Sequence, residues 1–308
     1  MDIKFDGNWY GRFGNNIISI INVIALAELT SSKVTFNINH DLLHIENLDI
    51  NFKKQETDRK ISVNPLMCYH LIGDYFINLK EIIYKMHPMI AKKYIRPIIH
   101  ELKIENIDFN DTLVIHIRGG DIFNAIPHHD YVQPPLQYYE RIIDSSGYSN
   151  IIILSEDNKN PCIDALIKKY NNIIFKQNIL LYDVHIMLNA KYIVASNSTL
   201  IYAMLMISTN IKKVYYNSFL PTIELEGVSI FTYDFINYIK YGDWQNTPNQ
   251  KNLMLHFPHK NIKRIFVKTD SKNIVENMKI NNYTKYFKKS HMYIFSCFLC
   301  IIFIILFV

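Results

Sequence analysis

The chain has 308 residues, 49% of them hydrophobic, with 21 Tyr and 18 Phe. That is enough apolar material for one large or two ordinary domains, and too much for a disordered chain. The formal charge of +5 is local: residues 251–290 hold ten Lys or Arg against Asp270 and Glu276, a net of +8, which leaves residues 1–250 at −3 and argues against a broad nucleic-acid surface.

The first 108 residues read as an irregular α/β unit. Residues 2–5 suit a short strand, and a loop with Gly7, Gly11 and Gly14 follows. Asn15 or Asn16 is then placed to cap an apolar helix over residues 17–29, and residues 33–38 suit the next strand. Helical patterning returns over 75–86 and 87–101. The opening stretch, MDIKFDGNWYGRFGNN, has no basic n-region and no apolar h-region, so it does not read as a signal peptide. Cys68 and Cys162 are isolated, and no disulfide framework is apparent.

Residues 109–250 read as a second, more regular domain. Strand-like runs at 112–117, 150–154, 172–176, 191–195 and 212–216 alternate with helical stretches at 136–143, 161–170, 182–190 and 199–207. Short apolar runs spaced by about ten to fifteen residues signal βα units and a parallel sheet. Ligands bind beyond the carboxyl ends of such strands. Three polar segments fall there: HIRGGD (116–121), LSED (154–157) and ASNST (195–199). More helix is expected beyond Pro221. Residues 251–291 form a basic stalk. Residues 292–308, MYIFSCFLCIIFIILFV, carry no charge and span about 25 Å as a helix, at the short end of a transmembrane segment. With Lys285, Lys288 and Lys289 on one flank, the expectation is a tail anchor in a membrane, with the body facing the cytosol. Cys297 and Cys300 lie inside this run and suit lipid-facing or palmitoylated thiols better than a redox or zinc pair.

Five of the nine glycines sit in two loops, Gly7, Gly11 and Gly14 in one and Gly119 and Gly120 in the other, so the backbone must approach something closely at both. Arg118 offers a planar fork of donors suited to phosphate oxygens, and Asp121 can orient it. An Arg–Asp pair in a surface turn would look the same. GRFGNN lacks the Lys-Ser/Thr of a P-loop, G-x-G-x-x-G is absent, and no convincing D-x-D metal motif occurs.

Taken together, these blocks resemble one family. HIRGGD is similar to the H-x-R-x-G-D motif of the fucosyltransferase superfamily, which includes protein O-fucosyltransferases. GRFGNN (11–16) resembles its N-terminal G-R-[FL]-G-N-Q loop, and LYDVHIMLNAKYIVASNST (181–199) its late block. SEDN (155–158) stands where an S-D-D turn recurs, and DYVQPPLQYY (130–139) resembles a G-Q-P-P-L-x-Y-Y stretch. The resemblance covers roughly residues 8–200. It implies a GT-B-like fold, with two Rossmann-like domains facing a cleft. The implied reaction is an inverting transfer of fucose from GDP-fucose to a glycan or glycoprotein acceptor, with no cofactor and no metal. The body would bind a nucleotide-sugar donor and no nucleic acid.

Residue by residue, the resemblance implies that Arg118 binds the donor diphosphate, with His116, Gly119 and Asp121 lining the pocket beside it. It implies that Asp183 accepts hydrogen bonds from guanine, that Ser196, Ser198 and Thr199 donate to phosphate, and that Gly14 and Asn15 floor the cleft near the sugar, with Arg118 and Asn15 as the catalytic residues. Each has a plainer competitor. Asp183 suits the start of any helix, Asn197-Ser198-Thr199 is also a glycosylation sequon or a capping cluster, and His128 and His129 are a general-base pair or merely solvated. The sequence departs from the family where Gly119 replaces a second basic residue and Ile201-Tyr202-Ala203 replaces an aromatic block. These departures leave a catalytically silent, membrane-attached nucleotide-sugar or glycan binder as the alternative.

Overall fold

The computed structural model describes residues 1–55 and 59–267, a mixed α/β body built on two largely parallel sheets. The small sheet has the order β3-β2-β1-β4, from β1 (Asp2–Phe5), β2 (Lys33–Phe36), β3 (Ile50–Asn51) and β4 (Lys60–Val63). β1 runs parallel to both β2 and β4, while β3 is antiparallel to β2. Between β1 and β2 lies helix α1 (Phe13–Leu29), whose residues from Asn16 to Ala27 are all buried. A helix apolar on every side must be covered on every side, and α1 packs against α2 (Pro65–His70), α3 (Lys80–Ile90) and α7 (Thr199–Ile207).

The large sheet has the order β11-β10-β9-β8-β5-β6-β7. Its central strand β5 (Thr112–His116) is buried at every position, as a parallel strand covered on both faces must be. The chain steps outward from β5 through α4 (Leu136–Ser146), β6 (Asn150–Leu154), α5 (Pro161–Lys169) and β7 (Ile173–Phe175). It then returns through α6 (Leu180–Asn189) to β8 (Tyr192–Val194) on the other side of β5, and continues through α7 to β9 (Lys213–Asn217) and β10 (Ser229–Phe235). The reversal lies between β5 and β8, and the crevice at such a reversal is where open α/β sheets hold ligands. α4, α5 and α8 (Pro248–Leu255) share one core, whereas α6 and α7 share the other with α1 and the small sheet.

The expected strands and helices of residues 112–217 all form, with ends shifted by a few residues. Elsewhere there are differences. α1 begins at Phe13, so Asn15 and Asn16 fall in its first turn and Arg12 is the cap residue, without a side-chain cap bond. Asn16 instead donates to the Tyr10 carbonyl and pairs with His40, because its side chain is enclosed and needs partners. The pattern at 87–101 is α-helical only to Ile90 and then loosens through a π turn (Ala91–Ile95) and tightens through a 3-10 turn (Arg96–Ile98). Beyond Pro221 the expected helix is largely strand: β10 pairs in antiparallel fashion with β11 (Ile262–Val267), and α8 is the one α-helix between them. Phe231, Tyr233 and Phe235 alternate along β10, a spacing that suits a strand. Among the described residues no helix is long and apolar enough to cross a membrane. The segment 292–308 and most of the basic stalk lie outside the described residues.

Gly14 marks where α1 meets α7. A Cβ there would stand 2.5 Å from the Leu200 nitrogen and 2.6 Å from the Thr199 carbonyl carbon, and both are backbone atoms that cannot swing aside. Gly14→Ala is therefore expected to destabilise the protein by about 3 kcal/mol or to push the two helices apart. A urea-unfolding series on the full chain reads this directly.

Two histidines tie stability to pH. His87 is buried and pairs through Nε2 with Asn22 Oδ1 at 2.7 Å, and His116 pairs through Nδ1 with Ser196 Oγ at 2.7 Å. Burial lowers His87 to about 4; burial, reinforced by the charges of Arg118 and Arg12, lowers His116 to about 3. Both imidazoles stay neutral in the fold while the unfolded chain takes up protons near its ordinary value of about 6.5. Their stabilisation is full above that pH and is lost as pH falls, about 3 kcal/mol each by pH 4. The unfolding midpoint in urea is expected to drop steeply between pH 6.5 and 4.5. His87→Gln, which can still donate to Asn22, should remove about half of that dependence.

Candidate functional site

The reversal between β5 and β8 gathers the polar residues of the chain. β5 ends at His116, and Arg118 follows in a loop that closes with Gly120 in the left-handed region at φ +69°. β8 ends just before Ser196, Asn197 and Ser198, and Ser198 caps α7 by accepting from the Leu200 amide at 3.3 Å. The two edges are bonded to each other: besides the His116–Ser196 pair, Arg118 Nη1 lies 3.5 Å from Ser198 Oγ. Arg118 is 9% exposed, yet its Nε has no partner. A buried guanidinium nitrogen left unsatisfied is costly unless something completes it.

Arg118 is held on its other sides. Its Nη2 donates to Asp121 Oδ1 at 2.8 Å, its carbonyl accepts from Asn160 Nδ2 at 3.0 Å, and the guanidinium stacks over Tyr131 with its carbon 4.8 Å from the ring centre. The SEDN turn buttresses the loop from below, because Asp157 Oδ1 accepts from the Gly120 amide at 3.1 Å. It also explains the glycines: a Cβ at Gly119 would run into the Asp157 carboxylate, and one at Gly120 into that of Glu156. A side chain at the position where the resembled family carries a second basic residue would have to displace the Asp157 carboxylate from the Gly120 amide.

The second guanidinium comes from elsewhere. Arg12, at the cap of α1, reaches across the chain to pair with Glu156 and lies 3.4 Å from the same Asp121 oxygen that holds Arg118. Sequence reasoning missed it, although Arg12 was the one charge in the GRFGNN loop; only the packing of α1 on α7 shows where that charge goes. The contact at Gly14 has a further consequence. It sets the amino ends of α1 and α7 against each other, so two helix dipoles present their positive ends beside two guanidinium groups. The Asp121 and Glu156 carboxylates balance the two guanidiniums in this structure, so an anion is favoured there in exchange for them.

The remaining expected site residues divide. Ser196 and Ser198 are buried at the edge as described, and Thr199 opens α7 half-exposed. Gly14, expected on the cleft floor, sits at the helix crossing, where its missing side chain is a packing requirement. Asn15 folds its amide back against Gly11. Asn197 is 6% exposed and donates to the carbonyls of Asp130 and Val132, each at 3.1 Å, so as a sequon it is closed to modification in this fold. Gln133 returns the contact by donating to the Asn197 carbonyl at 3.0 Å, which stitches the DYVQPP stretch to the end of β8. His129 is bonded to the Trp244 carbonyl at 2.8 Å, a structural role, and His128 lies exposed beside Tyr131.

Trp244 is another residue the sequence did not point to. It is fully buried and donates to the Ile122 carbonyl at 2.7 Å, while Asn246 donates to the carbonyls of Phe123 and Asn124. The segment after β10 thus straps down both loops that follow Arg118.

Asp183 lies in the first turn of α6, after β7 and therefore at the same sheet edge, two strands from β5, a lateral distance on the order of 10 Å. It is 7% exposed, accepts from Asn178 Nδ2 at 3.0 Å, and is pushed up to about 6 by burial. A helix-dipole role alone calls for an exposed, low carboxylate; this one is enclosed at a cost. Among the described residues no group of three or more His, Cys, Asp or Glu side chains is placed to hold a metal ion. Cys68 and Cys162 are buried and free, and burial pushes both thiols up, which suits inert core residues.

No protein-family model and no curated protein sequence matches the chain. Among solved structures it is similar to POFUT1 in complex with GDP, at 12% identity over 67% of this chain and 93% of that one, with a TM-score of 0.37. It is also similar to the E. coli heptosyltransferase WaaC with ADP-2-deoxy-2-fluoro heptose, at 9% identity over 82% of this chain and 98% of that one, with a TM-score of 0.34. At such scores the likeness assigns no activity and no residue role, and both are left to the geometry of the site.

Proposed function

We propose that the protein is a glycosyltransferase that uses a nucleotide-diphosphate sugar. The observation that carries this reading is the convergence of two helix amino ends with Arg12 and Arg118, the latter buried with an unpartnered Nε. A diphosphate fills that place chemically: it completes the Arg118 fork, accepts from Ser198 and from the open amides of both helices, and replaces Asp121 and Glu156 as the counter-charge for Arg12. When the glycosidic bond breaks, negative charge accumulates on the leaving diphosphate, and fixed guanidinium groups stabilise it there without reorganising. The two arginines supply the charge that the motif's missing second basic residue would have supplied.

GDP-fucose is the donor we favour. Asp183 lies at a nucleoside's reach from Arg118, and a carboxylate suits the adjacent N1–H and exocyclic amine of guanine. The fold is then read as GT-B-like, the transfer as inverting and metal-independent, and the acceptor as a glycan or glycoprotein. The uncharged run at 292–308 adds a membrane to the reading, as a proposal that rests on the sequence. A thermal-shift panel of GDP-, UDP- and ADP-sugars on the full chain tests the donor. A melting shift with GDP and GDP-fucose, several degrees larger than with UDP or ADP compounds, is expected; equal or absent shifts would sink the assignment. The alternative of a silent binder has its own support, since Arg12 is already paired with Glu156 and Asp121. GDP binding without release of GDP from GDP-fucose, in the presence of acceptors, would favour it.

A further inference from the structure

Next to the diphosphate site stands a group of aromatic side chains that the donor reading does not use. Tyr10, from the loop before α1, packs against Tyr69 with ring centres 5.3 Å apart at 45°, and against His70 at 5.0 Å and 59°; Tyr69 and His70 meet at 4.8 Å. All three belong to the small-sheet half of the body. Tyr131, the ring beneath the Arg118 guanidinium, is close enough to both Tyr10 and Tyr69 to oppose their ionisation. The polar neighbour of the Tyr69 hydroxyl is Thr199, the first residue of α7 and next to Ser198. Tyr10, Tyr69, His70 and Tyr131 are each partly exposed, so the wall is neither core nor open surface.

We propose that this wall is the acceptor subsite, and that the acceptor presents a pyranose ring whose apolar face lies against Tyr10 and Tyr69 while Tyr131 separates it from the diphosphate residue Arg118. The shape argues for a sugar over a planar base. Rings tilted by 45° and 59° offer no parallel slot, so a flat base cannot stack on both at once, whereas a puckered ring needs no parallel pair. The chemistry argues the same way. A pyranose combines a patch of C–H groups with hydroxyls at its rim, and tyrosines offer an apolar face with a hydroxyl at the tip. Burial holds the Tyr10 and Tyr69 phenols up, so both hydroxyls remain available as donors and acceptors at neutral pH. Position also fits, because a ring seated there is one side chain away from Thr199 and from the sugar-phosphate bond. This rests on the reading of Arg118 as the diphosphate residue.

The test is saturation-transfer-difference NMR on the full chain with saturating GDP. The probes are methyl β-glycosides of hexoses and N-acetylhexosamines, with an uncharged Ser/Thr-containing hexapeptide as competitor class. Transfer to the ring C–H protons of at least one glycoside is expected. Tyr10→Ala and Tyr69→Ala should reduce it at least fivefold, Tyr10→Phe should retain most of it, and the GDP-induced melting shift of Tyr10→Ala should match the parent. Retention in Tyr10→Phe and the unchanged GDP shift show that the alanine effect is not unfolding. If GDP shifts melting but no glycoside is saturated, or if only the peptide is, the acceptor proposal is overturned and the donor reading stands. If a glycoside is saturated in a Tyr10- and Tyr69-dependent way but GDP shifts nothing, the donor reading falls and the sugar subsite remains.

Discussion

Arg118→Ala is expected to weaken GDP binding by about 10²–10³-fold and to abolish release of GDP from GDP-fucose, with the fold intact. Removing one partner of a desolvated, hydrogen-bonded charge pair costs roughly 2–5 kcal/mol or more, and Arg118 is the one group that touches both Ser198 and Asp121 at the edge. The fold should survive because the guanidinium lies at the mouth of the crevice, with its Nε unpaired. Relief of that orphan offsets the loss of the Asp121 pair, which is 55% exposed on the acid's side and worth little. Arg118→Lys should recover only part of the affinity, since an ammonium cannot fork between two phosphate oxygens. Calorimetry with GDP and a turnover assay read the two effects separately. Full activity in Arg118→Ala would remove the mechanism altogether.

Asp183→Asn is expected to make the protein more stable and a poorer nucleotide binder at once. Burial pushes this carboxyl up to about 6 from an ordinary value near 3.8. The folded state therefore holds its proton over a range in which the unfolded chain has released it. Stability from this group is present at low pH and is lost as pH rises from about 4 through 6, a penalty of about 3 kcal/mol at neutral pH. An isosteric amide carries no such penalty and can still accept from Asn178 through its oxygen. The variant should melt roughly 5–10 °C higher at pH 7.5, a gain that vanishes near pH 4. The amide nitrogen would then face the donors of guanine, so GDP affinity should fall by about 10²-fold, the cost of opposed buried groups. A residue serving only the helix dipole would show neither effect. Higher stability with unchanged GDP binding would dismiss the guanine role while leaving the burial argument intact.

The two expectations differ in how visible they were. Arg118 is conspicuous in the sequence because two charges and two glycines interrupt an apolar run at the end of a strand. The regular spacing of 112–217 was enough to place that end at a sheet edge. Asp183 was placed on a helix start by pattern alone, and only its enclosure beside Asn178 distinguishes a constrained carboxylate from a helix-end residue. Arg12 and the tyrosines were not legible as site residues. They come from positions 10, 12, 69 and 131, and nothing in local periodicity brings such distant positions together. The helix expected beyond Pro221 failed for a related reason: alternating aromatic residues suit either period over a short window, and the exposed edge of β9 selected the strand.

Local sequence determined the elements of this protein. Apolar runs of strand length and amphipathic or wholly apolar helices are written in residues close to one another. The site was decided by tertiary packing. α1 is apolar on every side and must be enclosed, so it lies against α7. Only a glycine at position 14 lets the two backbones come within contact. That contact sets two helix amino ends together and delivers Arg12 to the oxygen already holding Arg118. A second arginine that the motif lacks is thus supplied from 106 positions away, because burial of an apolar helix fixes where its first turn must point.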